Sequence, residues 1–359
     1  MLRIGVVGYG TGGKHFHAPF IQAARGCELA GIVARADRTI ASVKADLPDQ
    51  PVYPSLTAMI ASGNVDAVAI TTPPETRREL VLEAIAAGLH VVADKPFAPD
   101  AAGAMELDRA AKAKGVLLGV YQNRRFDSDI QTLSQLLRDR LLGRLWRIHS
   151  RMDFDDPATL EAGPTGGLLR DLGSHLVDQM LWLLGPAVAV DAQMDHVDLP
   201  AGRTDASFTI TLRHEGGLHS HISASKLNRL NMRELRAYGE AGSYVSQSTD
   251  IQAQQLFAGK RPADDLVTWG YEPQTHWGTL RTSAGNEIIP AAQGRYHDYY
   301  DLFAAAVRNG TPPPVTAEVG ARTLAVLDAA RQSAEENRSI SLERPHGRPE
   351  IRLAEQAGR

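Results

Sequence analysis

Residues 1–15, MLRIGVVGYGTGGKH, decide how the rest of the chain is read. Leu2, Ile4, Val6 and Val7 form a short apolar run of β-branched character, which predicts a buried strand. The run ends in Gly8-Tyr9-Gly10-Thr11-Gly12-Gly13, which fits G-x-G-x-x-G at Gly8, Gly10 and Gly13. In a strand–turn–helix unit the first glycine permits the tight turn and the second lets backbone approach a pyrophosphate. The third lets helix and strand pack closely. A diphosphate would sit at the helix N-terminus, where unpaired N–H groups and the helix dipole favour an anion. Glycine-rich turns are common, so the motif needs support from the rest of the chain.

That support comes from alternation. Residues 14–24 read as a helix that Pro19 bends or shortens, and residues 28–34 as a second buried strand. An NAD-preferring fold places an acidic residue at the end of that strand for the ribose hydroxyls. Here the position holds Ala34-Arg35, with Arg38 one helical turn later. A guanidinium there can grip a 2′-phosphate by a forked, charge-assisted contact, so NADP is the expected cofactor, with NAD possible. The competing account is a pair of solvated surface arginines. Further helices are expected over 37–46, 56–62, 75–87 and 100–114, and strands over 52–53, 65–71, 89–93 and 116–121. Gly88 and Gly115 stand where helix C-termini need them. Strands alternating with helices predict a doubly wound parallel sheet, in which ligands bind beyond the carboxyl ends of the strands. The glycine turn, Thr71-Thr72-Pro73, Asp94-Lys95-Pro96 and Gln122-Asn123-Arg124-Arg125 all fall at those ends.

After Tyr121 the pattern changes. An amphipathic helix over 129–141 carries Ile130, Leu133, Leu137 and Leu141 on one face. Strand-like runs come next at 145–152, 188–195, 206–212, 218–225, 232–238 and 244–246, mostly without crossover helices, which predicts an antiparallel sheet. One helix, over 165–185, stands apart: Leu169, Leu172, Leu176, Met180 and Leu183 make its apolar stripe. Asp171, His175 and Asp178 lie at i, i+4 and i+7 on the other face. Either they are a solvated face with a weak Asp–His pair, or His175 braced by Asp171 is an acid/base group. No ligand spacing supports a metal.

Together GYGTGG, Asp94-Lys95-Pro96 at an E-K-P position, and Gly167…Asp171-Leu172-Gly173-Ser174-His175 resemble the Gfo/Idh/MocA family of NAD(P)-dependent sugar and polyol oxidoreductases. Phe16–Pro19 (FHAP), YQNRRFDSD over 121–129 and RDLGSHLVDQ over 170–179 are similar to the branch that contains NADP-dependent scyllo-inositol dehydrogenase. The resemblance implies an α/β protein with an N-terminal Rossmann-type doubly wound parallel sheet and a C-terminal α/β domain with a large, mostly antiparallel open sheet. The expected division is residues 1–122 for the dinucleotide, 123–344 for substrate and oligomerisation, and a polar tail over 345–359. The helix over 317–337 is free to pack back on the first domain.

Carried over by position, the resemblance implies Lys95, Asp171 and His175 as the catalytic set. Gly8, Gly10, Thr11, Gly12, Gly13, Arg35, Arg38, Thr71, Thr72, Pro73, Asp94 and Lys95 would hold the cofactor. Asn123, Arg124, Arg125, Asp171, His175 and Asp178 would face a cyclic polyol or sugar. Three departures stand out: Asp94 replaces a glutamate, Arg77 stands where relatives often have histidine, and the loop over 153–163 carries Asp153, Asp155, Asp156 and Glu161. An acidic loop bordering the cleft would repel an anionic substrate. The resemblance also leaves two other functions open, an NADP-binding sensor and a redox-neutral sugar enzyme using transient oxidation.

The bulk composition agrees. The chain has 359 residues, enough for two domains, and a net charge of −4, which gives no nucleic-acid footprint. Its one cysteine, Cys27, cannot form an internal disulfide. No apolar run reaches the roughly 18 residues of a membrane span, so a cytoplasmic protein is expected. The resemblance implies a homodimer or homotetramer, and an open sheet face needs covering, so self-association is also expected on physical grounds.

Overall fold

The computed structural model describes residues 1–163 and 166–343; the expected tail and Thr165 lie outside them. The chain runs β1 (Leu2–Val7), α1 (Ala18–Ala23), β2 (Cys27–Val33), α2 (Asp37–Asp46), β3 (Val52–Tyr53), α3 (Leu56–Ala61), β4 (Ala67–Ile70), α4 (Pro74–Ala86), β5 (His90–Ala93), α5 (Ala101–Lys114) and β6 (Leu118–Val120). It continues through α6 (Ser128–Arg138), β7 (Leu145–Asp155), α7 (Ser174–Leu184), β8 (Ala187–Leu199), β9 (Gly202–His214), β10 (His219–Ser225), β11 (Leu227–Gly239) and β12 (Gly242–Ser248). Last come α8 (Ile251–Phe257), β13 (Gly278–Thr282), β14 (Gly285–Ile289), α9 (His297–Asn309), α10 (Ala317–Glu336) and β15 (Ile340–Ser341).

Two compact units result. One comprises Met1–Asn123, Ala253–Trp269 and Arg295–Arg322; the other comprises, among the described residues, those of 124–252, 270–294 and 323–343. The division therefore differs from a single cut after residue 122, because two later segments return to the first unit.

The first unit holds a six-stranded parallel sheet in the order β3-β2-β1-β4-β5-β6. This doubly wound order reverses between β1 and β4, and ligands bind at such a reversal. Its central strands are apolar on both faces: Ile4, Val6, Ala67, Val68, Ala69, Ile70, Val91 and Val92 are all fully enclosed. Beyond β6 the edge is covered from far along the chain. Val120 N–H donates to Val315 O at 3.0 Å, and Gly119 bridges Thr316 in antiparallel sense.

In the second unit nine strands form one sheet, β14-β13-β12-β11-β7-β10-β9-β8-β15. Its neighbours pair antiparallel except β7 and β10, which run parallel. Ile148, Phe208, Ile210, Leu212, Ile222, Leu235 and Ala237 face the helices, while Arg147, His149, His221 and Arg236 alternate outward. Most of these strands outrun the apolar runs that predicted them, because the added ends are largely polar; β11 begins at Leu227 rather than 232. Among the described residues no helix is long and apolar enough to cross a membrane.

Two helices open on a π-helical turn. Gly12–His17 precedes α1, so Pro19 falls in the first turn of α1, where its missing N–H is not needed. Leu169–Gly173 precedes α7. The helix expected over 165–185 thus starts later: Gly167 has φ +95°, and a Cβ there would lie 2.1 Å from Asp205 Oδ1. Asp205 Oδ2 instead accepts the Leu169 N–H at 2.6 Å, capping the turn from β9.

Candidate active site

In the first unit the glycines behave as their chemistry requires. Gly8 adopts φ +100°, open to glycine and strained for other residues. A Cβ on Gly13 would come within 2.1 Å of Gly8 O, so the helix could not approach the strand with any larger residue. Gly10 has nothing within 4 Å of the corresponding point, leaving the backbone exposed for a ligand's approach. Thr71, at the end of β4, donates its hydroxyl to Gly8 O at 2.9 Å and joins the turn to the next strand. These features fit a dinucleotide's diphosphate. Arg35 and Arg38 are exposed at the end of β2 and the start of α2.

Asp94 reaches back to the same turn from the end of β5. Its Oδ2 lies 2.9 Å from where a Gly12 Cβ would stand, and its Oδ1 accepts the Lys95 N–H at 2.8 Å. His17 Nε2 lies 3.6 Å from Asp94 Oδ1, while His17 Nδ1 meets the Tyr300 hydroxyl at 2.5 Å. Burial alone would raise the Asp94 carboxyl; the His17 imidazole, then Arg77 and Lys95, outweigh it and hold the group at about 2. Arg77 is 4% exposed. Its Nη1 donates to Asp94 O at 2.8 Å and Pro96 O at 2.5 Å, and its Nη2 donates to Thr72 O at 2.5 Å. Burial lowers its pKa, and the charges of Asp94 and Glu75 oppose that.

In the second unit the π-helical turn carries Asp171 and α7 carries His175, one turn on. Lys226, 8% exposed at the end of β10, donates to Asp171 Oδ2 at 3.0 Å and to Thr159 O at 3.3 Å. The Ser174 hydroxyl donates to Asp171 O at 3.1 Å. His175 and Asp178 are 5% and 1% exposed, so the face is enclosed at those two positions, while the Asp171 side chain stays 46% exposed. A Cβ on Gly173 would lie 2.8 Å from Leu169 Cδ1, one turn back.

The arginines expected to face substrate are committed to carboxylates. Arg125 makes a two-pronged ion pair with Asp178, both contacts at 2.7 Å. Arg124 pairs with Asp250 at 2.6 Å, and its carbonyl accepts from Gln179 Nε2 at 2.8 Å. Beneath them the buried Arg233 holds Asp127 at 2.5 Å and Asp129 at 2.7 Å. Each buried charge has its counter-charge, which buried ions require. Asn123 is buried. The acidic stretch is not a free loop either. Asp153 and Asp155 end β7, where Asp153 pairs with Arg151 and Asp155 pairs with Arg229 at 3.1 Å.

The model for an oxidoreductase family with an NAD-binding Rossmann fold matches residues 2–122, and that for the GFO/IDH/MocA C-terminal domain matches residues 130–245. Over 354 residues the chain is 33% identical to scyllo-inositol 2-dehydrogenase (NADP(+)) IolW of Bacillus subtilis (strain 168), covering 95% of this chain and 96% of that protein. The chain belongs to the Gfo/Idh/MocA family. Among other relatives of this Gfo/Idh/MocA oxidoreductase is myo-inositol 2-dehydrogenase of Thermotoga maritima, 26% identical and covering 95% of this chain and 99% of that one. The solved structure of the oxidoreductase yvaA from Bacillus subtilis superposes with a TM-score of 0.87 at 33% identity, covering 96% and 99% of the two chains.

Sequence reasoning named the motif residues of the Gfo/Idh/MocA chain but not the side chains that hold them. Lys226 meets Asp171 from a strand 55 residues away, a pairing no local spacing encodes. Tyr300 and His17 meet over a separation of 283 residues.

Proposed function

We propose that this Gfo/Idh/MocA oxidoreductase prefers NADP and interconverts a secondary alcohol and ketone on a neutral cyclic polyol or sugar. The observation that carries the reading is the enclosed His175 with Asp171 one turn away and tied to Lys226. A protein that only sensed a dinucleotide would have no use for such a group, whereas an acid/base step does. The first unit's glycine turn would bind the diphosphate through the N–H groups near Gly8, Gly10, Thr11, Gly12 and Gly13, with Thr71, Thr72, Pro73 and Asp94 around it. Arg35 and Arg38 would meet a 2′-phosphate. When bound, the nicotinamide supplies the hydride acceptor or donor.

The residues supply positioning and charge. His175 takes the hydroxyl proton during oxidation and returns it during reduction. Lys95 hydrogen-bonds the same oxygen and stabilises its developing charge. Asp171 orients His175 or binds a neighbouring hydroxyl. A neutral substrate is supported by the paired state of Arg124 and Arg125, whose charges are met by Asp250 and Asp178 and so offer little to a carboxylate or phosphate. The outward face of the nine-stranded sheet, with His149, His221 and Tyr238, is the surface we propose a second copy covers.

Steady-state rates on inositols, aldoses and their phosphorylated or carboxylated analogues, with both cofactors, test the reading. Turnover of a neutral ring with NADP is expected. A preference for the anionic analogues of about tenfold, about 1.4 kcal/mol, overturns the substrate class. Product formed without net change in cofactor would instead reveal a redox-neutral reaction.

A further inference from the structure

Arg77 has no task in the reaction proposed above, yet it is one of the most deeply set charges of the first unit. It lies in the first turn of α4, just after Pro74. Side chains there lean back toward the helix N-terminus, which carries the guanidinium over the loops that precede and flank the helix. Electrostatically the position is poor. A helix N-terminus disfavours a cation, and burial removes its water. Three carbonyl oxygens offset that cost: Thr72 O after β4, and Asp94 O and Pro96 O after β5.

Two of those carbonyls flank Lys95. The Lys95 N–H is itself held by Asp94 Oδ1 at 2.8 Å, so its backbone is held from both sides. We infer that Arg77 is a positioning residue: its guanidinium locks the end of β4 to the end of β5 and thereby sets the origin of the Lys95 side chain. A planar fork with several donors can serve three acceptors in fixed directions; the compact ammonium of a lysine cannot. The inference deepens the functional reading above and rests on Lys95 acting there.

Full-length Arg77→Gln and Arg77→Lys are compared with wild type by amide hydrogen exchange, NADPH-fluorescence titration and steady-state kinetics. In Arg77→Gln the Lys95 amide is expected to exchange at least about tenfold faster while the amides of β2 stay protected. The turnover number falls by about a hundredfold, because a displacement of about 1 Å at a reacting group costs that much. Substrate KM changes less than about threefold, and the NADPH dissociation constant rises by less than the turnover number falls, since Arg77 holds Thr72 and the Asp94 backbone but not the glycine turn. Arg77→Lys gives an intermediate value of each and keeps the test open if the glutamine variant fails to fold. Unchanged exchange at Lys95, or faster exchange with an unchanged turnover number, overturns the inference. Failure of the functional reading looks different: wild type turns over no polyol or sugar, while the exchange comparison still decides whether Arg77 holds the loop.

Discussion

Two π-helical turns, one per unit, use the same backbone device for opposite ends. Gly12–His17 offers backbone: Gly10 is open to approach, Gly13 has no room for a side chain, and the anchoring contact is a hydroxyl on a glycine carbonyl. Leu169–Gly173 offers side chains, with Asp171 and, just beyond, His175 projecting from a turn whose N–H is capped by Asp205. Insertions of this kind in a helix are common where function resides. The contrast teaches that a turn presenting backbone is written in glycines, whereas a turn presenting side chains is written in their partners.

The largest expected effect separates the two turns outright. His175→Ala lowers the turnover number by about two to four orders of magnitude, the range for acid/base groups, while NADPH affinity by fluorescence titration is unchanged. If the variant turns over like wild type, the second turn carries no chemistry and the contrast fails.

Acid should separate two buried groups next. His214, buried between Gly185 O and Ser220, is pushed down to about 4 from 6.5 by burial. The unfolded chain takes up that proton first, so the stability it contributes is full above pH 6.5 and lost as pH falls toward 4, up to about 3 kcal/mol. Asp94 has an ordinary value of 3.8 and a folded value of about 2, so its contribution, on the order of 2 kcal/mol, is full above pH 3.8 and lost only below it. Melting followed against pH should lose stability first through the His214 window, and His214→Gln should reduce that loss. A melt insensitive to pH between those values would break the assignment.

Two glycine substitutions sharpen the first turn itself. Gly13→Ala forces a Cβ against Gly8 O and should cost about 1–3 kcal/mol in denaturant unfolding. Gly10→Ala meets nothing, so it should leave the unfolding midpoint alone and weaken NADPH binding instead. Equal loss of stability in both would mean that Gly10 is a packing position. The smallest effect belongs to the exposed Arg35: Arg35→Asp should erase an NADP preference of about tenfold, measured as the ratio of NADPH to NADH affinity, and leave the fold intact.

How much was legible tracks the same division. The parallel sheet could be read strand by strand, because Val65–Thr71 and its counterparts are continuous apolar runs bounded by Gly88, Gly115 and the proline turns. The glycine turn was legible because backbone needs dictate residue type there. The second unit was legible as alternation but not in extent, since the added ends of β8, β9 and β11 are largely polar. Asp178 and Arg125 carry the right chemistry for substrate, and only their mutual ion pair shows that each is occupied. The partners of Asp171, Asp94 and His17 come from distant segments, and no window of sequence contains them.

The cover on β6 has a consequence for how the protein is made. Strand pairing at Gly119 and Val120 is completed by Val315 and Thr316, which leave the ribosome only after all nine-sheet strands but the last. Until then the growing chain carries an uncovered strand edge, the usual template for pairing with another chain. The unit begun first is thus completed only after most of the second has been made. A nascent chain arrested before Val315 should need a chaperone to shield that edge, and full-length product should not.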